Sequence, residues 1–178
     1  YGRLSLLIGD GTTVGVSSNI TVNNDYVPTS GIWVHNLTIN MAEVSFATGA
    51  YEMRVSGNVS LMNNTYLDAD GNDPVFVFWG GYGNQTISIP ISAAAVFNTL
   101  KFDNNAYVTT TSSFDLTNEF TVKDGSTFIS QNGVISFTGG ANSKAWQVEN
   151  GGTLNLWNVD FNDNAAGPFT YAPVGNAY

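Results

Sequence analysis

WQVENGGTL, from Trp146 to Leu154, decides how this chain folds. Trp146 and Val148 flank a polar Gln147, a polar corner follows, and a hydroxyl then stands beside another apolar residue, Leu154. Alternation at period two is what a strand with one buried face requires, and Gly or Asn at a corner tolerates positive φ cheaply. The order is therefore strand, bend, strand.

The same order recurs. FTVKDGSTF (Phe120 to Phe128) matches without gaps, as do MRVSGNVSL (Met53 to Leu61) and LKFDNNAYV (Leu100 to Val108). FVFWGGYGN, from Phe76, keeps the opening and loses the last apolar residue, while ITVNNDYVP opens identically from Ile20. Starts at 53, 76, 100, 120 and 146 are separated by 23, 24, 20 and 26 residues, a period that signals stacked units. The step from Ile20 to Met53 is 33 residues and requires an insertion.

One such unit cannot bury its apolar face alone. Stacked units can, if each strand pairs in parallel with its equivalent one coil on, about 4.8 Å away. This predicts two interior ladders, Met53, Phe76, Leu100, Phe120, Trp146 and Val55, Phe78, Phe102, Val122, Val148. The expected fold is an all-β parallel β-helix of six to seven coils. An antiparallel β-sandwich or jelly roll is the alternative; it accounts for the turn frequency and not for the recurring phase. The chain reads as one domain, 1–178, with a less regular part at 1–50, repeated coils at 51–164 and an extension at 165–178.

GGTLNLWNVDFNDN and FTVKDGSTFISQNGVISFTG resemble the coils of right-handed parallel β-helix proteins found in adhesins, autotransporter passengers and other cell-surface proteins. The resemblance covers about residues 50 to 164 and implies architecture and handedness rather than an activity. It also implies a secreted or cell-surface location. The start at Tyr1 without a Met fits a processed precursor.

Composition narrows the function. Only 11% of the 178 residues are charged, and the net charge of −9 reflects scarcity of cations. Arg3, Arg54, Lys101, Lys123 and Lys144 stand singly, so no run of phosphates finds a basic tract and nucleic acid is not an expected partner. No apolar run reaches the length of a membrane span, and the chain has no cysteine for disulfides or thiolate metal sites.

Candidate sites are few. LDADGNDPV places Asp68, Asp70, Asn72 and Asp73 around Gly71, short oxygen ligands of the kind calcium takes, although no distal bidentate Glu follows and the stretch is equally good turn chemistry. No cofactor is required by any motif. Asn-x-Ser/Thr sequons occur at Asn19, Asn36, Asn58, Asn63 and Asn84, all in the first half, and mark the chain as a candidate glycoprotein. His35, the single histidine, lies in no nucleophile motif and reads as a structural or surface residue.

Asp160 and Asp163 are a candidate carboxylate pair, since the resemblance extends to β-helical polysaccharide lyases and hydrolases; the scarcity of cations argues against it, and the chain is read as a non-enzyme. TTTSS, Thr109 to Ser113, reads as surface hydroxyls rather than an ice-binding array, because the equivalent positions hold Ser60, Gly83, Tyr107, Thr127 and Thr153. Among the aromatics Trp79, Tyr82, Trp146 and Trp157, Trp146 falls in phase with the core and Trp157 does not, which makes Trp157 the better exposed candidate for a sugar.

The leading expectation is a secreted structural protein whose copies join end to end or by strand donation into a filament or surface layer. Leu4, Leu6 and Ile8 at the start, and Phe169, Tyr171 and Val174 near the end, are the candidate joints. The alternative is a carbohydrate- or host-binding adhesin module.

Overall fold

The computed structural model describes residues 5–8, 17–20, 32–39, 43–46, 51–69, 74–81, 83–138, 144–162, 169–173 and 176–177. All regular structure among them is strand, and every strand pairing is parallel. Strands arrive in triplets. The first is β1 (Ser5–Ile8), β2 (Ser17–Ile20) and β3 (Ile32–Val34), and the second is β4 (Asn36–Ile39), β5 (Glu43–Phe46) and β6 (Tyr51–Val55). Then come β7 (Val59–Leu61), β8 (Tyr66–Ala69) and β9 (Pro74–Trp79).

In the middle of the column two faces share one bent strand. β10 (Asn84–Ser88) precedes the long β11 (Ala94–Asp103), and β12 (Tyr107–Thr110) precedes the long β13 (Phe114–Val122). Triplets resume with β14 (Thr127–Ser130), β15 (Val134–Thr138) and β16 (Lys144–Val148), then β17 (Thr153–Asn155), β18 (Asn158–Asn162) and β19 (Phe169–Pro173), and finally β20 (Asn176–Ala177).

The first members form one sheet in the order β1, β4, β7, β10, β12, β14, β17, β20; the other members join in a second, bent sheet. The chain is a parallel β-solenoid. The bend in the second sheet falls where β11 pairs β13, with a register shift after Phe97. There Asn118 donates its Nδ2 to Asn98 Oδ1 at 3.3 Å and the Thr99 hydroxyl donates to the same oxygen at 2.9 Å, so side-chain amides take over where the ladder breaks.

Both predicted ladders stand in register. Met53 pairs Phe76, Phe76 pairs Leu100, Leu100 pairs Phe120 and Phe120 pairs Trp146, with Val55, Phe78, Phe102, Val122 and Val148 two residues on. From Met53 to Trp146 the chain completes four turns with its side chains described, fewer than the six to seven coils expected from sequence. Backbone pairing carries the first ladder outward to Ile32 and to Tyr171.

All ten ladder residues are buried, and the rings pack on one another. Phe102 has its centroid 4.7 Å from Phe128, 5.2 Å from Phe120 and 5.4 Å from Phe78, while Trp146 lies 5.2 Å from Phe137. Offset and edge-on rings at such distances contribute about 0.5–1.5 kcal/mol per pair beyond burial.

The structure corrects the alignment at the start of the chain. Ile20 lies in β2 opposite Phe46, on a different face from Met53; Ile32 is the residue opposite Met53. The true copy is therefore IWVHNLTIN, 21 residues before Met53, and no insertion is needed.

MRVSGNVSL is also shorter than it looks. Val108, Phe128 and Leu154 share a rung position with Gln85, and counting back from the pairing of Ile87 with Val59 sets Gly57 opposite Gln85. The corner after β6 is thus tighter than the later ones, and Leu61 instead pairs Ile39.

Candidate functional surface

A solenoid presents its chemistry on outward strand positions, so the two sheets are compared there. None of the eight strands in the first sheet contains Asp, Glu, Lys, Arg or His. Every charged residue that lies in a strand belongs to the second sheet: Glu43, Glu52, Arg54, Asp68, Lys101, Asp103, Asp115, Glu119, Lys144 and Asp160.

Many of those charges are engaged with one another. Arg54 donates its Nε to Glu52 Oε2 at 2.6 Å and lies 4.9 Å over the Trp79 ring. Lys101 approaches Glu119 at 3.7 Å, and Lys123 bonds Glu149 at 2.5 Å across the next step of the column. Lys123 is held above the usual lysine range and Glu149 below the usual carboxylate range, in both cases chiefly by that hydrogen bond. Charge staples neighbouring coils within this sheet at Lys101 and Glu119 and at the corner beyond it at Lys123 and Glu149, whereas Glu52 and Arg54 pair within one strand.

Of the acidic candidates, Asp68 and Asp160 lie in described strands. Asp160, exposed in β18, pairs with Ser136, which pairs with Asp115 one coil further; Asp163 lies outside the described residues. Burial pushes the Asp115 carboxyl above its ordinary range, opposed by a hydrogen bond with Ser136 and reinforced by the charge of Asp160. Asp68 lies in β8 between Ser45 and Val96, whereas Asp70, Asn72 and Asp73 lie outside the described residues. Among the described residues no group of three or more His, Cys, Asp or Glu is disposed to hold a metal.

Four sequons gather along the first sheet. Asn36 opens β4, Asn58 immediately precedes β7 and Asn84 opens β10, while Asn63 is exposed in the turn after β7. Alternation explains the spacing. In each of the first three an asparagine at the strand edge is followed by an inward residue (Leu37, Val59 or Gln85) and an outward hydroxyl (Thr38, Ser60 or Thr86). Asn36 Oδ1 accepts the Asn58 N–H at 2.8 Å, and Asn58 Oδ1 accepts the Thr86 N–H at 2.9 Å. Those amides extend the ladder past the strand ends. Asn19 lies in β2.

His35 shares a hydrogen bond with Ser56 at 3.1 Å between Nδ1 and Oγ. Of the aromatics, Trp146 is 7% exposed and Trp157 69%; Tyr82 lies outside the described residues. Leu6 and Ile8 lie in β1, paired with Leu37 and Ile39, and Phe169 and Tyr171 lie in β19, paired with Lys144 and Trp146. Leu4 and Val174 fall outside the described residues.

TTTSS is not uniformly a surface stretch. Thr110 and Ser112 are buried; the Thr110 hydroxyl donates to the Ile87 carbonyl at 2.9 Å and Ser112 Oγ accepts the Ile89 N–H at 2.8 Å. They bond backbone groups, and with Thr65, Gln85, Ser126 and Ser130 they belong to a set of buried polar side chains that single-residue polarity does not reveal. The outward register also differs from the sequence alignment. Asn84, Tyr107, Thr127 and Thr153 form one row, and Thr86 lies beside Thr109 in the next.

The surface that emerges is an uncharged sheet of hydroxyls and amides, with the exposed Tyr107 in its middle and the half-buried Ile129 beside Thr109. Comparison with protein families, with curated proteins and with solved structures finds no match.

Proposed function

We propose that the chain is a secreted, non-enzymatic β-solenoid module that binds carbohydrate through the outer face of its first sheet. The observation that carries the reading is the segregation of charge: strand charges all lie on the second sheet, and the outer face of the first offers neutral donors and acceptors, an aromatic ring and the aliphatic Ile129. A surface selected for solubility alone mixes both signs over every face. Sugars present hydroxyls that donate and accept at once, and Ser, Thr and Asn side chains are their natural counterparts. Co-sedimentation of the chain with insoluble polysaccharides tests the reading; failure to be retained by any of them overturns it.

A second reading, end-to-end assembly of copies, is favoured by the parallel ladder that reaches β1 and β20, each paired on one edge among the described residues. Pro173 ends β19 without an N–H to give a further strand, so pairing there would rest on Phe169 to Ala172. Sedimentation that stays monomeric at high concentration removes this reading and leaves the first intact.

A further inference from the structure

Resting on the carbohydrate reading, we propose that the ligand is an extended chain of neutral sugar units lying along the column across β10, β12, β14 and β17, with the Tyr107 ring as its stacking platform. Strand spacing sets the scale: successive outward residues stand about 4.8 Å apart along the column, close to the length of one pyranose, so each unit meets a fresh rung. The row Asn84, Tyr107, Thr127, Thr153 gives an amide, a ring and two hydroxyls in line, and Thr86 and Thr109 flank it. Tyr107 is 40% exposed, with an apolar ring for the carbon face of a sugar and a phenol for its hydroxyls.

Two features select neutrality and position. A uronate or sulfated chain placed here meets no strand cation: Lys101 lies in β11 and faces Glu119, and Lys123, in the corner between β13 and β14, is bonded to Glu149. In the preceding coils the row of Thr86 and Thr109 continues as Asn58 and Asn36, whose side-chain carbonyl oxygens already accept the backbone N–H groups of Thr86 and Asn58. That bonded row ends at Thr86 in β10, which leaves β12, β14 and β17 beyond it as polar surface.

The test is calorimetric titration of the whole chain with neutral hexasaccharides (a β-linked glucan and a β-linked mannan) and with hexagalacturonate as the anionic comparator. Binding of a neutral chain is expected, insensitive to salt, with no binding of the anionic one. Tyr107→Ala and Thr127→Lys each weaken it by at least about tenfold, while Thr38→Lys on β4 leaves it unchanged. Folding is verified by circular dichroism, and Thr127→Lys, at a half-exposed position, serves alone if Tyr107→Ala does not fold. Neutral binding that survives Thr127→Lys, or a preference for the anionic chain, overturns this site and ligand while the carbohydrate reading stands. Absence of binding to any glycan, soluble or insoluble, overturns both.

Discussion

Gln85 reaches back one coil to Gly57: its Nε2 donates to the Gly57 carbonyl at 3.2 Å and to the Val55 carbonyl at 2.9 Å, and the side chain is fully buried. Later coils fill the same rung position with Val108, Phe128 and Leu154. The tight corner at Gly57 brings backbone carbonyls inward, and only a side chain with donors satisfies them. Gln85→Ala is predicted to lose about 2–4 kcal/mol, from a cavity plus two unpaired carbonyls. Gln85→Leu keeps the volume and also removes Oε1, which has no partner, so it is expected to cost less than Gln85→Ala in urea denaturation. Equal losses for the two would mean that volume is irrelevant at this site.

Gly57 itself provides a second test. A Cβ there meets the His35 carbonyl oxygen at 2.5 Å, and that backbone cannot move without disturbing β4. Gly57→Ala is predicted to cost about 1–3 kcal/mol by overpacking. Gly83→Ala meets nothing within 4 Å, although its φ of +103° penalises a side chain. Crowding at position 57 is a contact effect and strain at position 83 a conformational one, so Gly83→Asn should recover part of the loss and Gly57→Asn should not. Thermal midpoints of the four variants check this.

Phe102 touches three rings from two faces and two neighbouring coils, so it ties the column both around and along its axis. Phe102→Ala is predicted to cost about 3–5 kcal/mol. Because coils contact mainly their neighbours, the loss should appear as faster amide exchange centred on β9, β11 and β13, with the more distant β4 and β17 less affected. Uniform acceleration along the chain would show that the solenoid unfolds as one unit.

These positions show why the fold was legible in the sequence and the surface was not. The openings MRV, FVF, LKF, FTV and WQV fix the parallel register because burial imposes a strict alternation on them. Corners vary in length, as Gly57 and Gln85 demonstrate, so ungapped matching past the corner put Gly83 where Asn84 stands and misaligned the outward rows. The Ile20 copy failed for a related reason: a three-residue alternation recurs on every face, and only pairing tells one face from another. The segregation of charge was present in the residues but invisible until each strand had a sheet. Buried Thr110 and Ser112 depend on backbone groups from the previous coil, which no local pattern encodes.

The Lys123–Glu149 bridge predicts a signed pH dependence. Glu149 titrates below its unfolded value, so its contribution is present above the unfolded carboxylate pKa, about 4.3, and is lost as pH falls through the folded one. Lys123 titrates above its unfolded value, so its contribution is full below about pH 10.4 and is lost as pH rises through the folded one. Both groups are about a third exposed, and screening holds the pair to about 0.2–1 kcal/mol. Glu149→Gln should therefore lower stability near neutrality and converge on the parent in acid. A deficit that persists in strong acid would mean that packing, rather than charge, is what the substitution removes.

Asp115 carries the opposite sign. Its folded pKa is raised, first by burial, so the folded state holds the proton more tightly than the unfolded chain does. Stability falls as pH rises from the unfolded carboxylate pKa through the raised one, and the deficit persists above it. Asp115→Asn is expected to stabilise the fold at neutral pH, with the gain disappearing in acid where both side chains are neutral. Asp160→Asn removes the charge that pushes Asp115 upward and should give a smaller gain over the same range. The Ser136 hydrogen bond favours the charged form, so Ser136→Ala should raise the Asp115 pKa further and deepen the deficit. Carboxyl NMR titration of Asp115 in the two neighbour variants reads these shifts directly. Movement in the same direction in both would refute the assignment of opposite roles to Ser136 and Asp160.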